Sequence, residues 1–163
     1  INHLQDGGEH EFGLRAGTEN VSGIVGFAEA VKIASNHKHI IYMTQLRDKL
    51  INEISKLPNV KLNGAKGNKR LCNNANFSFK GIEGEAIGGY LDENNICSST
   101  GSACSARTLE PSHVLMALGL THEEANGSLR LTLSRFTTEK EIDYVLEVLP
   151  KIIEKLRKIS PFG

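Results

Sequence analysis

No sign of charge dominates this sequence. Nineteen lysines and arginines balance nineteen aspartates and glutamates, for a formal net charge of zero. The basic excess that suits nucleic acid is missing, and so is an acidic run of the kind that solvates a tail. Apolar runs are short, far below the roughly 18 residues a membrane helix needs. The opening residues do not read as a signal peptide. Cysteine is scarce, with only Cys72, Cys97 and Cys104 present. An odd count without paired spacing speaks against a disulfide framework and for a reducing compartment. No C-x-x-C occurs, and no histidine stands at zinc-site spacing from a cysteine pair, so no metal site is expected. Two cofactor signatures are missing as well. No lysine sits beside glycines in a Schiff-base context, and no glycine-rich phosphate loop runs straight into a helix. If this polypeptide uses a cofactor, most of that site lies elsewhere. The chain opens on Ile1 rather than Met, which points to a fragment of a longer polypeptide.

What is present suffices for a folded body. Of 163 residues, 39% are hydrophobic and 23% charged, which fits one domain or a pair of small ones. No repeat or low-complexity tract interrupts it. Residues 6–20 carry Gly7, Gly8, Gly13 and Gly17 among Glu9, His10, Glu11, Arg15, Thr18 and Glu19. Such a loop can bring main chain close to a ligand, or it can be an ordinary surface loop; both readings stand. From Val21 the apolar spacing predicts a helix, interrupted near Asn36 and His37–His39, and resumed by Leu46, Leu50, Ile54 and Leu57. Pro58 closes it. This long arm reads as a connector between two bodies.

Beyond Pro58 the periods shorten. Strands are predicted at 60–62, 75–79, 96–99 and 129–133, and short helices at 83–91, 112–118 and 123–126. Pro111 suits the first position of the second of these helices. Gly88-Gly89 weakens the first. Thr137-Thr138 with Glu141 resembles a capping signal. The last helix runs to about Lys158, with Ile142, Val145, Leu146, Leu149, Ile152, Ile153 and Leu156 on one face and a kink expected at Pro150. The fold class is α/β with an α+β flavour: a mostly antiparallel sheet of three to four strands, with helices on one face.

Cys104 is the sharpest chemical feature. Its neighbours Gly101, Ser102, Ala103, Ser105 and Ala106 are small, which leaves the sulfur open to attack or to attacking. Only one cation, Arg107, is near in sequence, and no general base is evident, so an inert loop cysteine is the competing reading. Cys97 on a strand and Cys72 on a loop read as structural or incidental. Arg130 lies between apolar neighbours on a strand. Its planar fork suits a substrate carboxylate or an internal salt bridge, and both remain open. Arg135 reads as a surface charge, His113 as a packing residue, His10 as polar lining, and His37, His39 and His122 as solvated.

Four ordered blocks carry a resemblance. They are Gly13-Leu14-Arg15-Ala16-Gly17-Thr18-Glu19-Asn20-Val21; Asn76-Phe77-Ser78-Phe79 with Glu83-Gly84-Glu85; residues 98–105 followed by Leu109-Glu110-Pro111-Ser112-His113-Val114-Leu115; and residues 129–139, Leu-Arg-Leu-Thr-Leu-Ser-Arg-Phe-Thr-Thr-Glu. Together they resemble group I cysteine desulfurases of the NifS/IscS type over nearly the whole chain. One feature departs: Glu9 stands where that family shows a third glycine before the His10-Glu11 pair.

The resemblance implies the C-terminal part of a homodimeric, cytoplasmic, fold-type I pyridoxal-phosphate enzyme. Residues 1–57 would be the end of the large domain and the connecting helix, and residues 58–163 the small domain with the catalytic-cysteine loop. The implied reaction converts L-cysteine to L-alanine and leaves a persulfide on Cys104. That sulfur passes to an iron–sulfur scaffold protein or a tRNA-thiolation enzyme. Arg130 would hold the substrate carboxylate. Thr18 would reach the cofactor phosphate of the other subunit. The Schiff-base lysine would lie outside this chain. Alternatives are a selenocysteine lyase or cysteine sulfinate desulfinase of the same fold, and a non-catalytic persulfide-carrier or docking module. An iron–sulfur ligand role for Cys104 alone is weak, because one thiolate cannot hold a cluster.

Overall fold

A computed structural model describes residues 2–3, 5–100 and 111–160. Its contacts fall into two compact units, Ile1–His37 and Lys38–Gly163.

The first unit holds the glycine-rich segment, a tight turn at His10–Gly13 in which Glu11 and Phe12 take left-handed backbone angles (φ 50° and 57°), and α1 (Val21–Ala34). Asn20 caps α1, its side-chain oxygen accepting from the Gly23 N–H at 3.1 Å. No residue of α1 is buried, although Val21, Ile24, Val25, Phe27 and Val31 are apolar. Of the hydrophobic residues described here, Ala16 alone is buried. The helix ends at Ser35, and α2 (His37–Ile54) begins two residues later. The interruption falls where the sequence places it, but His37–His39 are already helical.

The second unit is built on a four-stranded antiparallel sheet in the order β1-β2-β4-β3. The strands are β1 (Val60–Leu62), β2 (Asn74–Phe79), β3 (Ser99–Thr100) and β4 (Ser128–Thr132). Alternation along β2 and β4 sends Ala75, Phe77, Phe79, Leu129 and Leu131 to one face. There they meet Leu46, Leu50 and Ile54 of α2, Ile87 and Leu91 of α3 (Gly84–Glu93), and the apolar stripe of α6 (Glu139–Ile159). The three long helices thus share a face. Short α4 (His113–Ala117) and α5 (His122–Asn126) form a smaller cluster around Leu115, Leu120 and Ala125. Through α5 they cover one corner of the opposite face, where the Ser78 hydroxyl donates to the Glu124 carbonyl at 2.7 Å. The expectation that all the helices lie on one face therefore does not hold for α4 and α5.

Gly84 seats the start of α3 against the entry to β4, and Gly127 seats that entry against the end of β2. A Cβ on Gly84 would lie 2.2 Å from the Ser128 carbonyl oxygen, and one on Gly127 would lie 2.6 Å from that of Phe79. Neither backbone oxygen can step aside, so no larger residue fits. Gly88 and Gly89 do not break α3.

The strand predicted at 96–99 is displaced. Helix α3 ends in a Schellman arrangement: Asn95 sits at φ 58°, its N–H bonds to the Asp92 carbonyl at 2.9 Å, and the Ile96 N–H bonds to Leu91 at 2.9 Å. That closure takes the Ile96 amide out of the sheet, and pairing starts only at Ser99. Cys97 therefore precedes the strand and is exposed. Ser112, not Pro111, borders α4 as its N-cap, so Pro111 lies before the helix rather than at its first position. His113 is exposed rather than packed. Thr138 and Glu141 do form a reciprocal capping box at the start of α6. That helix continues through Pro150, which lacks the N–H that would have reached the Leu146 carbonyl.

Candidate functional site

Arg130 stands on the sheet face opposite the core. Its strand neighbours Leu129 and Leu131 point into the core, so the arginine points away, and it is exposed. Among the described residues it makes no hydrogen bond or ion pair. The internal salt bridge that the sequence left open is not formed there, and the guanidinium fork faces outward. In register with Arg130 are Asn76 on β2 and Ser99 on β3. Asn63, just past β1, gives its N–H to the Asn76 carbonyl at 2.9 Å and so extends the row. Asn63, Asn76, Arg130 and Ser99 form a polar line across the sheet.

This line is held from beneath. The Asn63 side chain is 3% exposed. Its Nδ2 donates to Asn76 Oδ1 at 2.7 Å and to Ser78 Oγ at 2.8 Å. Arg70 adds bonds to the carbonyls of Asn63 and of Ala65, and burial lowers the pKa of its guanidinium. Arg47, 2% exposed, ties α2 to the same loop by donating to the carbonyls of Arg70 and Leu71. Asn63 and Arg47 belong to none of the four sequence blocks, and Asn76, which opens one of them, is given no role by it. Only the outward phase of Asn76, between Ala75 and Phe77, is visible in the sequence.

Cys104 falls in residues 101–110, outside the described residues. The chain enters that segment from Thr100, one residue after the partner of Arg130, and leaves it at Pro111 ahead of α4.

Thr18 lies in the first unit, on an exposed turn where Gly17 takes φ +90°. Arg15 Nη1 donates to the carbonyls of Gly17 at 3.2 Å and Thr18 at 2.5 Å. The turn's carbonyls are thereby occupied by a cation, and the Thr18 hydroxyl makes no bond among the described residues. A hydroxyl donor beside a guanidinium, two residues before Asn20 caps α1, fits a phosphate oxygen. His10 Nδ1 meets Glu19 Oε1 at 3.0 Å, and that contact lowers the Glu19 pKa, so both residues are spoken for within the loop. Arg135 lies 4.6 Å from the Phe136 ring and is a surface charge as expected. A cavity of about 470 Å³ between residues 95–97 and 131–133 contains none of the candidate residues.

The model of the family described as Aminotransferase class-V matches residues 4–145. The chain belongs to that family. Curated class-V relatives include the cysteine desulfurase IscS of Clostridium botulinum, 52% identical over 165 residues. This match takes in 99% of the chain and 42% of the relative. Cysteine desulfurase IscS 1 of Archaeoglobus fulgidus is 51% identical over 157 residues, 95% of the chain and 41% of the relative. Among solved structures, a NifS-like protein superposes with a TM-score of 0.78 at 33% identity, covering 96% of the chain and 40% of its own. The NifS-like protein of Rickettsia africae gives 0.77 at 31% identity, covering 94% and 40%. The chain spans about 42% of the length of the curated relatives. Membership of the class-V aminotransferases brings pyridoxal 5'-phosphate as the cofactor. On this chain, Thr18 is the residue whose setting fits that group.

Proposed function

We propose that this chain is the C-terminal part of a cysteine desulfurase that transfers sulfur from L-cysteine to Cys104. The observation that carries the reading is the placement of Arg130. An arginine with no described partner, exposed on the open face of a rigid sheet, adjoins the strand that leads into the Cys104 segment. Identity above 50% to IscS cysteine desulfurases over 95–99% of the chain supports it.

Each residue then has a separate task. Arg130 binds the α-carboxylate of L-cysteine through its fork. Thr18 donates to the cofactor phosphate, from the second copy in a homodimer. Pyridoxal phosphate, when bound through a lysine outside this chain, supplies the electron sink that makes the substrate's C–S bond labile. The Cys104 thiolate attacks the substrate sulfur. A new S–S bond forms, the C–S bond breaks, and its electron pair stays with the substrate carbon. That carbon gains a proton, so L-cysteine and a thiol become L-alanine and a persulfide with no external oxidant. From Thr100 to Cys104 there are four residues, which limits the reach from the strand to about 14 Å. A sulfur acceptor such as an iron–sulfur scaffold protein must come to that radius. The division into a large-domain end with connecting helix (1–57) and a small domain (58–163), and a cytoplasmic location, belong to the same reading. Among the described residues, no helix is long and apolar enough to cross a membrane.

The test uses the complete enzyme. Incubation with L-cysteine should yield L-alanine and a peptide containing Cys104 that is one sulfur atom heavier. Cys104→Ala should abolish both. Full alanine production by that variant overturns the assignment.

A further inference from the structure

The polar line beside Arg130 contains a donor that the reaction described above does not use. Its orientation follows from counting protons. Ser78 Oγ has one hydrogen, and it goes to the Glu124 carbonyl at 2.7 Å. Ser78 must therefore accept from its other neighbour, so the atom of Asn63 facing it at 2.8 Å is the amide nitrogen. The second hydrogen of that nitrogen points at Asn76, 2.7 Å away, and the atom receiving it must be Oδ1. Asn76 is thus fixed with its NH2 group turned away from Asn63. Among the described residues that NH2 makes no hydrogen bond. Asn76 is the cross-strand partner of Arg130, and directly paired residues project from the same face with Cβ atoms about 5 Å apart. Keeping Asn63 here has a cost, because its buried Oδ1 has no partner. A polar residue retained in that state is explained by what it orients.

We infer that the Asn76 amide is a second donor for the substrate carboxylate beside Arg130, and that buried Asn63 is the positioning residue that turns it outward. The inference rests on the carboxylate role proposed for Arg130. A guanidinium and an amide NH2 on adjacent strands can share the two oxygens of one amino-acid carboxylate. Neither group then has to move when substrate arrives, because one is set by the strand and the other by the Glu124–Ser78–Asn63 chain.

The experiment titrates the complete, pyridoxal-phosphate-loaded enzyme with two probes, read by the change in the cofactor's absorbance. L-alanine carries the carboxylate; cysteamine lacks it. Asn76→Asp keeps an acceptor for Asn63 and hence the internal network, but loses the outward donors and adds a repelling charge. It should weaken L-alanine about tenfold or more, leave cysteamine binding unchanged, and keep the thermal midpoint. Asn76→Ala, which adds no charge, should weaken L-alanine at least about threefold and spare cysteamine. Asn63→Ala should move L-alanine in the same direction by less. If both probes weaken together with a lowered midpoint, the role of Asn76 is structural and the inference is wrong. It is equally wrong if L-alanine binds the Asn76 variants normally while Arg130→Ala loses it. If Arg130→Ala also binds L-alanine normally, the carboxylate reading of the whole site fails first.

Discussion

At the scale of single residues, two arginines make opposite demands. Arg130 is exposed and without a described partner, so truncating it removes little from the fold. Arg130→Ala should leave the thermal midpoint nearly unchanged while raising KM for L-cysteine about 10- to 100-fold, the worth of a charge-assisted bidentate contact. Arg130→Lys should recover only part of that, because an ammonium restores charge but not the fork. Steady-state kinetics on the complete enzyme with both variants checks this, and equal KM values throughout would remove Arg130 from substrate binding. Arg47 is the reverse case. It is buried, and its nitrogens reach Asp48 at 2.7 Å and 2.9 Å besides the carbonyls of Arg70 and Leu71. Arg47→Ala leaves those carbonyls unpaired and opens a void. It should cost on the order of 3 kcal/mol in urea unfolding. The difference between the two was half legible in the sequence. Leucines at 129, 131 and 133 fix the phase of Arg130. Nothing local distinguishes Arg47 from any helical surface arginine, because its burial comes from a loop more than twenty positions away in the chain.

At the scale of elements, short-range chemistry and the antiparallel sense of the sheet were readable, and where each strand starts was not. The Thr138–Glu141 box could be seen because both partners lie within one turn. The Glu141 carboxylate accepts from the Thr138 N–H at 2.6 Å, and Glu141 returns its own N–H to the Thr138 hydroxyl at 3.3 Å. The start of β3 could not be seen, because it depends on where the Schellman closure of α3 releases the chain. Thr138→Ala should destabilise by about 1 kcal/mol, read as a lower urea midpoint with unchanged slope. The acid side follows from the same contacts. The pKa of Glu141 is lowered chiefly by the Thr138 backbone N–H, and that of Glu124 chiefly by Lys61. A carboxylate whose pKa is lower folded than unfolded adds stability that is complete above the ordinary value near 4.3. That stability fades as pH falls through the lowered folded value. Thermal midpoints taken from pH 6 down to pH 3 should therefore fall, and Glu141→Gln should flatten the acid limb. Lys49 runs the other way. Asp143 and Glu139 raise its pKa, so its contribution persists below the ordinary lysine range and is lost only as pH climbs through the raised value.

At the scale of the whole molecule, apolar surface is distributed very unevenly. The sheet and its three long helices enclose a continuous core from Leu46 to Leu156. The first unit buries one hydrophobic residue, Ala16, and leaves Phe12 98%, Phe27 73% and Val25 62% exposed. A helix that is apolar yet solvated lacks the burial that offsets the entropy of ordering it. The apolar spacing of α1 was legible as a helix; that its face finds no core within these residues was not, since periodicity reports a face and not what covers it. Produced alone, the 163-residue chain should show amide protection close to the global unfolding limit in β2, β4 and α6, and rapid exchange through α1. It should also bind a hydrophobic-surface dye through that helix. Replacing Phe27 and Val25 together by lysine should cut dye binding severalfold without lowering the unfolding midpoint of the second unit. A midpoint that drops by several degrees in that double variant would mean the α1 face already supports the core, and strong α1 protection in the parent chain would say the same.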